Sequence, residues 1–501
     1  MARSATLVLA LLGGASLAAA FAVESAWPAV FLAAVIFVLS LEWFATRGEA
    51  LFDAAVFGWA AYVGGYYWMQ PTLALFWGGR VALSWAVWLL WGAVVTSRFV
   101  IIGWMYCVLR KRRVGIVLSL LLPWLTVEWL YPSLFPFYLG NTLVGQSLLV
   151  QAAALGGPLL LSAWICGVSA ILAELVLSLA RRGRFSRVEL GAVLVATLAL
   201  VAYGSVSIGT VERKSAAAPA ITVGVVQANV DVIEKRTERR MSHRRYAEKS
   251  TKLEAERSVD LLIWPETSYL RALPDDLPVS GTAVHEGLRA PLLFGGIRAH
   301  TEGGRRERFN SAMLADADGM IRSAYDKRFL IPFAEFVPFG DRFPWWSELA
   351  PTLSHFRPGH GSWGLNFGPW RIATPICYET IRPAYVRMLV RRSQPHLLVS
   401  LTNDGWFGDS PEPHLHLALA RFRAIEHRRY LIRATNTGIS AIIDPAGRVV
   451  AQSGLFEEAS LVQSVRMLDE PTLYEALGDW PGYLAATLLL LISIVRRRAG
   501  S

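Results

Sequence analysis

Three side chains in this 501-residue chain have the makings of thiol chemistry: Cys377, Glu266 and Lys327. The thiolate, not the thiol, is the nucleophile, so such chemistry needs a base to take the proton and a cation to favour the anion. A carboxylate and an ammonium beside one thiol supply both, and the ammonium can then stabilise an oxyanion. Cys377 is the only cysteine between 210 and 479; Cys107 and Cys166 fall in apolar runs and read as small packing residues. A single thiol has no partner for a disulfide within its own domain. Each residue also has a plain explanation when taken singly. Cys377 can be an inert buried thiol, and a Glu after Trp264-Pro265 or a Lys after Tyr325-Asp326 can be a surface or capping residue. Spacing along the chain does not by itself assemble them.

The elements that must position these residues read as an α/β layered domain. Ile221–Gln227 alternates as a strand, and a charged, helix-like run covers about 235–257. Leu261–Trp264 is a buried-strand pattern that stops at Pro265, with Glu266 just after it. Further strands are expected at Leu292–Ile297, Ser311–Leu314, Arg371–Ile376, Leu397–Leu401 and Gly438–Ile443, with a helix at 413–430. Turn signals occur at Asp318-Gly319 and Pro445-Ala446-Gly447. Strands alternating with helices suggest a layered sheet domain, whose strand ends are common places for chemistry.

The rest of the chain is of another kind. Overall 53% of residues are hydrophobic and only 18% are charged, too oily and too poorly charged for a wholly soluble or a disordered chain. Apolar stretches able to span a bilayer run over about 5–23, 27–45, 51–69, 80–97, 114–132, 150–180, 188–209 and 480–495. The stretch beginning at 80 is interrupted by Arg98, so 99–109 reads as an interfacial extension. Residues 1–23 also resemble a signal peptide, but the apolar span that follows at once favours an uncleaved helix. The fold class expected is therefore a polytopic bundle of eight transmembrane helices with an inserted α/β domain. Its parts are 1–209 (seven helices), 210–479 (the catalytic domain) and 480–501 (the last helix and a basic tail).

Charge orients this arrangement. With the N-terminus cytoplasmic, Arg3, Arg47, Arg110–Arg113, Arg181, Arg182, Arg184, Arg187 and Arg496–Arg498 share the cytoplasmic side, while the loops at 24–26, 70–79 and 133–149 hold no Lys or Arg. Residues 210–479 then lie on the outer face. The net charge of +10 sits mostly in the membrane segments and their cytoplasmic edges, so it signals topology and not nucleic acid. Glu128 and Glu174 lie within or beside apolar spans, where a carboxylate is functional or packs the bundle. Trp345 and Trp346 read either as a membrane-dipping loop or as a core pair.

Three segments carry a resemblance. Trp264-Pro265-Glu266-Thr267-Ser268, the run Tyr325-Asp326-Lys327 through Pro338-Phe339-Gly340, and Ile376-Cys377-Tyr378-Glu379 resemble the catalytic segments of the nitrilase (carbon–nitrogen hydrolase) superfamily. Thr402-Asn403-Asp404-Gly405-Trp406-Phe407-Gly408, Ala420–Glu426 and Arg433–Ser440 narrow the likeness to its apolipoprotein N-acyltransferase branch, and the membrane plan is similar as well. The resemblance implies a nitrilase-like αββα sandwich and a triad: Glu266 as general base, Cys377 as nucleophile, and Lys327 stabilising the tetrahedral intermediate together with the N–H that follows Cys377. It implies a further active-site carboxylate at Glu335, and supporting positions at Tyr378, Glu379 and Asn310. Departures from the family pattern are Lys235-Arg236 where a Lys-Trp pair is common, Pro413-His414-Leu415-His416 near Pro-Trp-Gln-His, and Leu134-Phe135-Pro136-Phe137 near Gly-Phe-Pro-Trp.

The implied reaction moves an acyl chain from a phospholipid through a Cys377 thioester to the α-amine of diacylglyceryl-cysteine on an apolipoprotein, by a ping-pong route in the bacterial inner membrane. The partners expected are those two lipids and the bilayer, with no nucleic acid and a monomeric enzyme. The rivals are a membrane-tethered amidase or nitrilase-type hydrolase with water as acceptor, and a non-catalytic membrane scaffold. No cofactor is expected, and His414 and His416, facing different sides of a helix, argue against a metal.

Overall fold

The computed structural model describes residues 3–43, 46–180, 185–230, 239–302, 305–337, 342–343 and 355–498. Trp345, Trp346, Lys235, Arg236 and the end of the Lys327 motif at 338–340 lie outside them, as do Arg181, Arg182 and Arg184. The described chain divides into two compact units, residues 1–70, 82–208 and 476–501, and residues 71–81 with 209–475. The short segment 71–81 thus groups with the second unit, although it lies among the apolar spans in sequence.

The first unit is helical because its apolar runs have no other way to satisfy their backbone groups away from water. The chain forms α1 (Arg3–Ala22), α2 (Ala29–Glu42), α3 (Arg47–Tyr66), the short α4 (Met69–Phe76), α5 (Val81–Lys111), α6 (Ile116–Leu130), α7 (Ala153–Leu179) and α8 (Arg187–Ala217). Each long helix falls on one of the apolar stretches. Among the described residues, four segments are long and apolar enough to cross a bilayer: 3–22, 81–111, 149–179 and 187–217; the apolar helices at 29–42, 116–130 and 480–494 are shorter. Residues 99–109 continue the helix begun at Val81: α5 runs unbroken to Lys111, about 46 Å at 1.5 Å per residue. Arg98 does not interrupt it, since its long stem can lie along the helix and leave the backbone ladder intact.

Helix α1 packs against α2 and α3, and a Cβ at Gly14 would strike the Phe57 carbonyl. Phe37, Phe57, Phe99 and Trp124 form an edge-to-face aromatic cluster inside the unit. The two carboxylates within or beside the apolar runs anchor backbone. Glu128 accepts from Trp124 Nε1 (2.9 Å) and from the Leu139 amide (2.8 Å), and Glu174 accepts from the Ser186 amide (3.3 Å). Gly156 and Gly157 leave helical geometry just before Pro158, so α7 is kinked there.

The second unit holds two sheets. The first contains β1 (Ala220–Gln227), β2 (Leu261–Ile263), β3 (Tyr269–Pro274), β4 (Val279–Ser280), β5 (Leu292–Glu302), β6 (Arg305–Ala315), β7 (Met320–Asp326) and β14 (Ala459–Arg466). Its order is β14-β1-β2-β5-β6-β7-β4, with β3 also paired to β5. The second contains β8 (Leu365–Phe367), β9 (Trp370–Ala373), β10 (Leu397–Thr402), β11 (Leu431–Thr435), β12 (Ala441–Ile443) and β13 (Val449–Gln452), in the order β13-β12-β11-β10-β9-β8. The helices are α9 (Arg239–Glu256), α10 (Thr282–His285), α11 (Pro383–Ser393), α12 (Glu412–His427) and α13 (Leu473–Leu477); the chain ends in α14 (Trp480–Arg498), in the first unit.

The period of two along each strand sorts side chains into two cores. Leu261 and Ile263 of β2 lie with Val223 and Val225 of β1 in one buried cluster that also takes in the register neighbours Leu398, Leu431 and Ile443 of the second sheet. Leu262 and Trp264 point the other way, onto Tyr246 and Leu253 of α9. Val386, Leu389, Ala420 and Ala424 of α11 and α12 pack on the second sheet. The result is the expected helix–sheet–sheet–helix layering. The sequence reading missed β3, β4, β7, β8, β11, β13 and β14, and the helices α10, α11 and α13. Strand β7 carries an exposed Arg322 and a buried Ser323, and β11 is interrupted in pattern by a buried Arg433, so neither shows a clean apolar run.

Candidate functional site

Each candidate residue follows a strand end. Glu266 comes three residues after β2, Lys327 directly after β7, and Cys377 four residues after β9. Strands β1 and β2 are parallel neighbours, as are β9 and β10, so loops that leave their carboxyl ends share one edge of the sandwich. Close approach is required there. A Cβ on Gly295 of β5 would lie 2.6 Å from both Glu266 Cα and the Pro265 carbonyl oxygen. Only glycine lets the Pro265–Thr267 turn sit down on β5.

Lys327, 1% exposed, lies between two carboxylates. Its Nζ donates to Glu266 Oε1 (3.2 Å) and to Glu335 Oε1 (2.9 Å). Asn310, on the neighbouring strand β6, donates from Nδ2 to the same two oxygens, at 2.7 Å and 3.1 Å. The second oxygen of Glu335 accepts from the Ile331 amide (2.9 Å), which fixes the loop that carries it. Lys327 itself is pinned by main chain, its amide donating to the Asn310 carbonyl (2.8 Å) and its carbonyl accepting from Gly359 (2.8 Å). Just before it, Asp326 takes a two-pronged bond from Arg298 (3.0 and 2.8 Å) and one from Ser311 Oγ (2.6 Å).

Cys377 sits at φ +51°, in the left-handed region that a side chain with a Cβ seldom adopts. Such strain persists only where the surroundings impose it. Here Glu379 does so. Its carboxylate accepts from the Ile376 amide (2.8 Å) and Tyr325 hydroxyl (2.8 Å) on one oxygen, and from the Arg328 amide (2.7 Å) and Phe329 amide (3.1 Å) on the other. One side chain therefore ties the turn that presents Cys377 to the segment that presents Lys327. Tyr385 contacts the Tyr325 hydroxyl and extends this brace into α11.

The electrostatics assign a resting state. Burial disfavours charge on Lys327, yet the Glu266 and Glu335 carboxylates outweigh it and hold the ammonium firmly protonated. Burial, and then the Glu266 charge, push the Cys377 thiol well above its ordinary range, with Lys327 pulling the other way. Cys377 therefore rests as a thiol near an ion-paired carboxylate. Burial also raises the Glu379 carboxyl, against the pull of the amides that point at it.

Beside the site lies a second buried polar cluster. Asp404, two residues after β10, pairs with Arg433 of β11, and His416 Nδ1 of α12 lies 3.2 Å from its other oxygen. Glu412 Oε1 is 3.5 Å from the same ring nitrogen. Asp404, Glu412 and His416 have the ligand types and proximity to hold a metal, their donor atoms all lying within 4.8 Å of one another. Arg433 already brings a cation to Asp404, however. Although burial opposes it, that guanidinium, aided by His416, keeps the Asp404 carboxyl below its usual range. Burial, then Arg433, keeps His416 below its ordinary value and so neutral. His414 is exposed and His416 buried, facing different ways on α12 as their spacing requires.

All seven candidates from sequence are thus buried in one region: Glu266, Lys327, Cys377, Glu335 and Asn310 in an electrostatically coupled group, with Tyr378 and Glu379 in the turn after Cys377. Sequence reasoning missed Arg298, Tyr325, Tyr385 and His416, whose roles depend on partners far along the chain. A strand residue of charged type in an otherwise apolar run, such as Arg433, was the one signal available.

Residues 222–467 match the carbon-nitrogen hydrolase family, and residues 13–171 match the apolipoprotein N-acyltransferase N-terminal domain. An apolipoprotein N-acyltransferase of Rhodopseudomonas palustris is 30% identical over 98% of this chain and 95% of its own length. This chain belongs to the apolipoprotein N-acyltransferase family. A relative of the same name from Azotobacter vinelandii is 30% identical, again over 98% of this chain and 95% of its own. Among solved structures the chain is similar to the nitrilase-superfamily member Nit3 of Saccharomyces cerevisiae (16% identity, 49% of this chain and 90% of that one, TM-score 0.38).

Proposed function

We propose that the enzyme transfers a fatty acyl chain from a glycerophospholipid to the free amine of diacylglyceryl-cysteine at an apolipoprotein N-terminus, through a thioester on Cys377. One observation carries the assignment of roles: Lys327 and the Glu266 base are buried in a single hydrogen-bonded group coupled to a thiol held at positive φ. Glu266 takes the thiol proton as Sγ attacks the donor's ester carbonyl. The charge that develops on the carbonyl oxygen is met by the Lys327 ammonium and the Tyr378 N–H. Glu335 and Asn310 keep Lys327 aimed after Glu266 is neutralised. The intermediate expels the lysophospholipid oxygen, which leaves with the proton from Glu266, and a thioester remains. The acceptor amine then attacks the thioester carbonyl and gives a proton to Glu266. Cys377 departs as thiolate and recovers that proton, leaving an amide. Atoms and charge balance without a cofactor.

In the membrane we take all eight long helices as crossings, with 1–209 and 480–501 as the bundle and 210–479 as the catalytic domain. The arginine-rich ends support cytoplasmic termini and an outer-face site in the bacterial inner membrane, where both lipid substrates are confined. The enzyme is proposed to act as a monomer. The test is mass spectrometry of the purified protein after incubation with phospholipid. A hydroxylamine-sensitive acyl group on Cys377, absent from Cys377→Ala and passed to a diacylated lipopeptide, supports transfer. Release of free fatty acid alone, with no N-acyl lipopeptide, refutes it in favour of hydrolysis.

A further inference from the structure

Several arginines built into the second unit are neutralised by carboxylates or main-chain carbonyls. Arg298 pairs with Asp326, Arg423 with Glu426, Arg429 with Glu475 and Arg433 with Asp404. Arg328 donates to the carbonyls of Gly359, Gly361 and Ser362. Among the described residues Arg382 has no carboxylate or main-chain carbonyl partner. Among the described residues its side chain makes one hydrogen bond, from Nη1 to the Tyr378 hydroxyl (3.0 Å), and lies over two rings, Phe329 at 4.7 Å and Tyr378 at 5.5 Å.

The position of those rings is informative. Phe329 follows Lys327 by two residues and hangs from Glu379 by its amide; Tyr378 directly follows Cys377. The half-buried guanidinium is therefore held where the Lys327 and Cys377 segments meet, beside the Phe329 ring, which is 37% exposed. Aromatic faces orient and partly dehydrate the cation while leaving N–H groups at its edge unused. A planar fork of N–H donors without a carboxylate matches a phosphate oxygen pair. In a glycerophospholipid the phosphodiester lies only a few bonds from the ester carbonyls.

We propose that Arg382 binds the phosphodiester of the acyl donor and so seats the neighbouring ester against Cys377. This rests on the acyl-transfer reading above and adds the recognition group for the donor. Arg382 here is a binding residue that selects phosphate-bearing esters and takes no part in bond making.

The experiment compares two donors with the same acyl chains, dioleoylphosphatidylglycerol and dioleoylglycerol, by the rate of acyl-Cys377 formation in the full-length protein in detergent micelles. Wild type, Arg382→Gln and Arg382→Lys are measured. A charge-assisted bond of ordinary strength gives a fall of about 10-fold or more in the phospholipid-to-diacylglycerol ratio of kcat/KM for R382Q. The loss is expected in KM, with partial recovery in R382K. An equal fall with both donors overturns the proposal and makes Arg382 a brace for the Cys377 turn; an unchanged ratio overturns it too. If R382Q does not fold, R382K decides: a KM increase confined to the phospholipid supports the proposal, and none refutes it. Failure of the wild type to load Cys377 from either donor refutes instead the acyl-transfer reading beneath it.

Discussion

Replacing Glu379 by glutamine tests whether the Cys377 and Lys327 segments are held together by this one carboxylate. The wild-type side chain accepts four bonds, two on each oxygen, between 2.7 and 3.1 Å. Glutamine offers one acceptor oxygen and one NH2. Its best placement keeps the oxygen toward the Arg328 and Phe329 amides and turns the NH2 toward Tyr325, whose hydroxyl can rotate to accept. The Ile376 amide cannot rotate, so a buried N–H is left facing another donor, at a cost of about 1–3 kcal/mol. The other bonds weaken from charge-assisted to neutral, while relief of a buried charge returns part of the loss. The net destabilisation is about 2–3 kcal/mol. For a unit of this size it corresponds to a Tm lower by roughly 4–12 °C, measured by thermal unfolding in detergent. Because the orphaned amide immediately precedes Cys377, acyl-enzyme formation should fall as well. A Tm within about 2 °C of wild type, together with an unchanged acylation rate, would refute the brace.

The other predictions concern the site itself. Cys377 is held as a thiol first by burial and then by the Glu266 charge, so its pKa lies above that of a free thiol, about 8.5. Iodoacetamide labelling of Cys377 should therefore be slower than that of a model thiol at pH 8 and still be rising beyond pH 9; a plateau below pH 8 contradicts the assignment. Glu266→Gln should lower single-turnover acylation by about 10²–10⁴-fold, the range of a general base, and a loss under tenfold rules Glu266 out of that role. Gly295→Ala forces a methyl to within 2.6 Å of the Glu266 backbone. The expected cost is about 1–3 kcal/mol of overpacking, seen as a lower Tm and slower acylation; a stable and fully active variant would show that the turn has room.

Some of this protein is written in local sequence. Apolar length placed the helices, because a run of about 20 oily residues can satisfy its backbone only as a helix in lipid. Alternation placed β1, short apolar runs placed β2, β5, β6, β9, β10 and β12, and the Trp264-Pro265-Glu266 stop placed a carboxylate at a strand end. Residue type marked Cys377, Glu266 and Lys327 as capable of thiol chemistry, and the resemblance of their segments to a known family suggested that they meet. The rest depended on tertiary structure. That Arg98 leaves α5 unbroken, that β7 and β11 are strands despite Arg322 and Arg433, and that residues 71–81 group with the second unit are results of packing between distant segments. So are the two carboxylates shared by Lys327 and Asn310, the Glu379 link between the two loops, and the seat of Arg382 over two rings. The physical reason is that hydrogen-bond satisfaction and the cost of burying charge depend on which groups meet in space. Residue type says what a side chain can do. Its partners, drawn here from across the second unit, decide what it does.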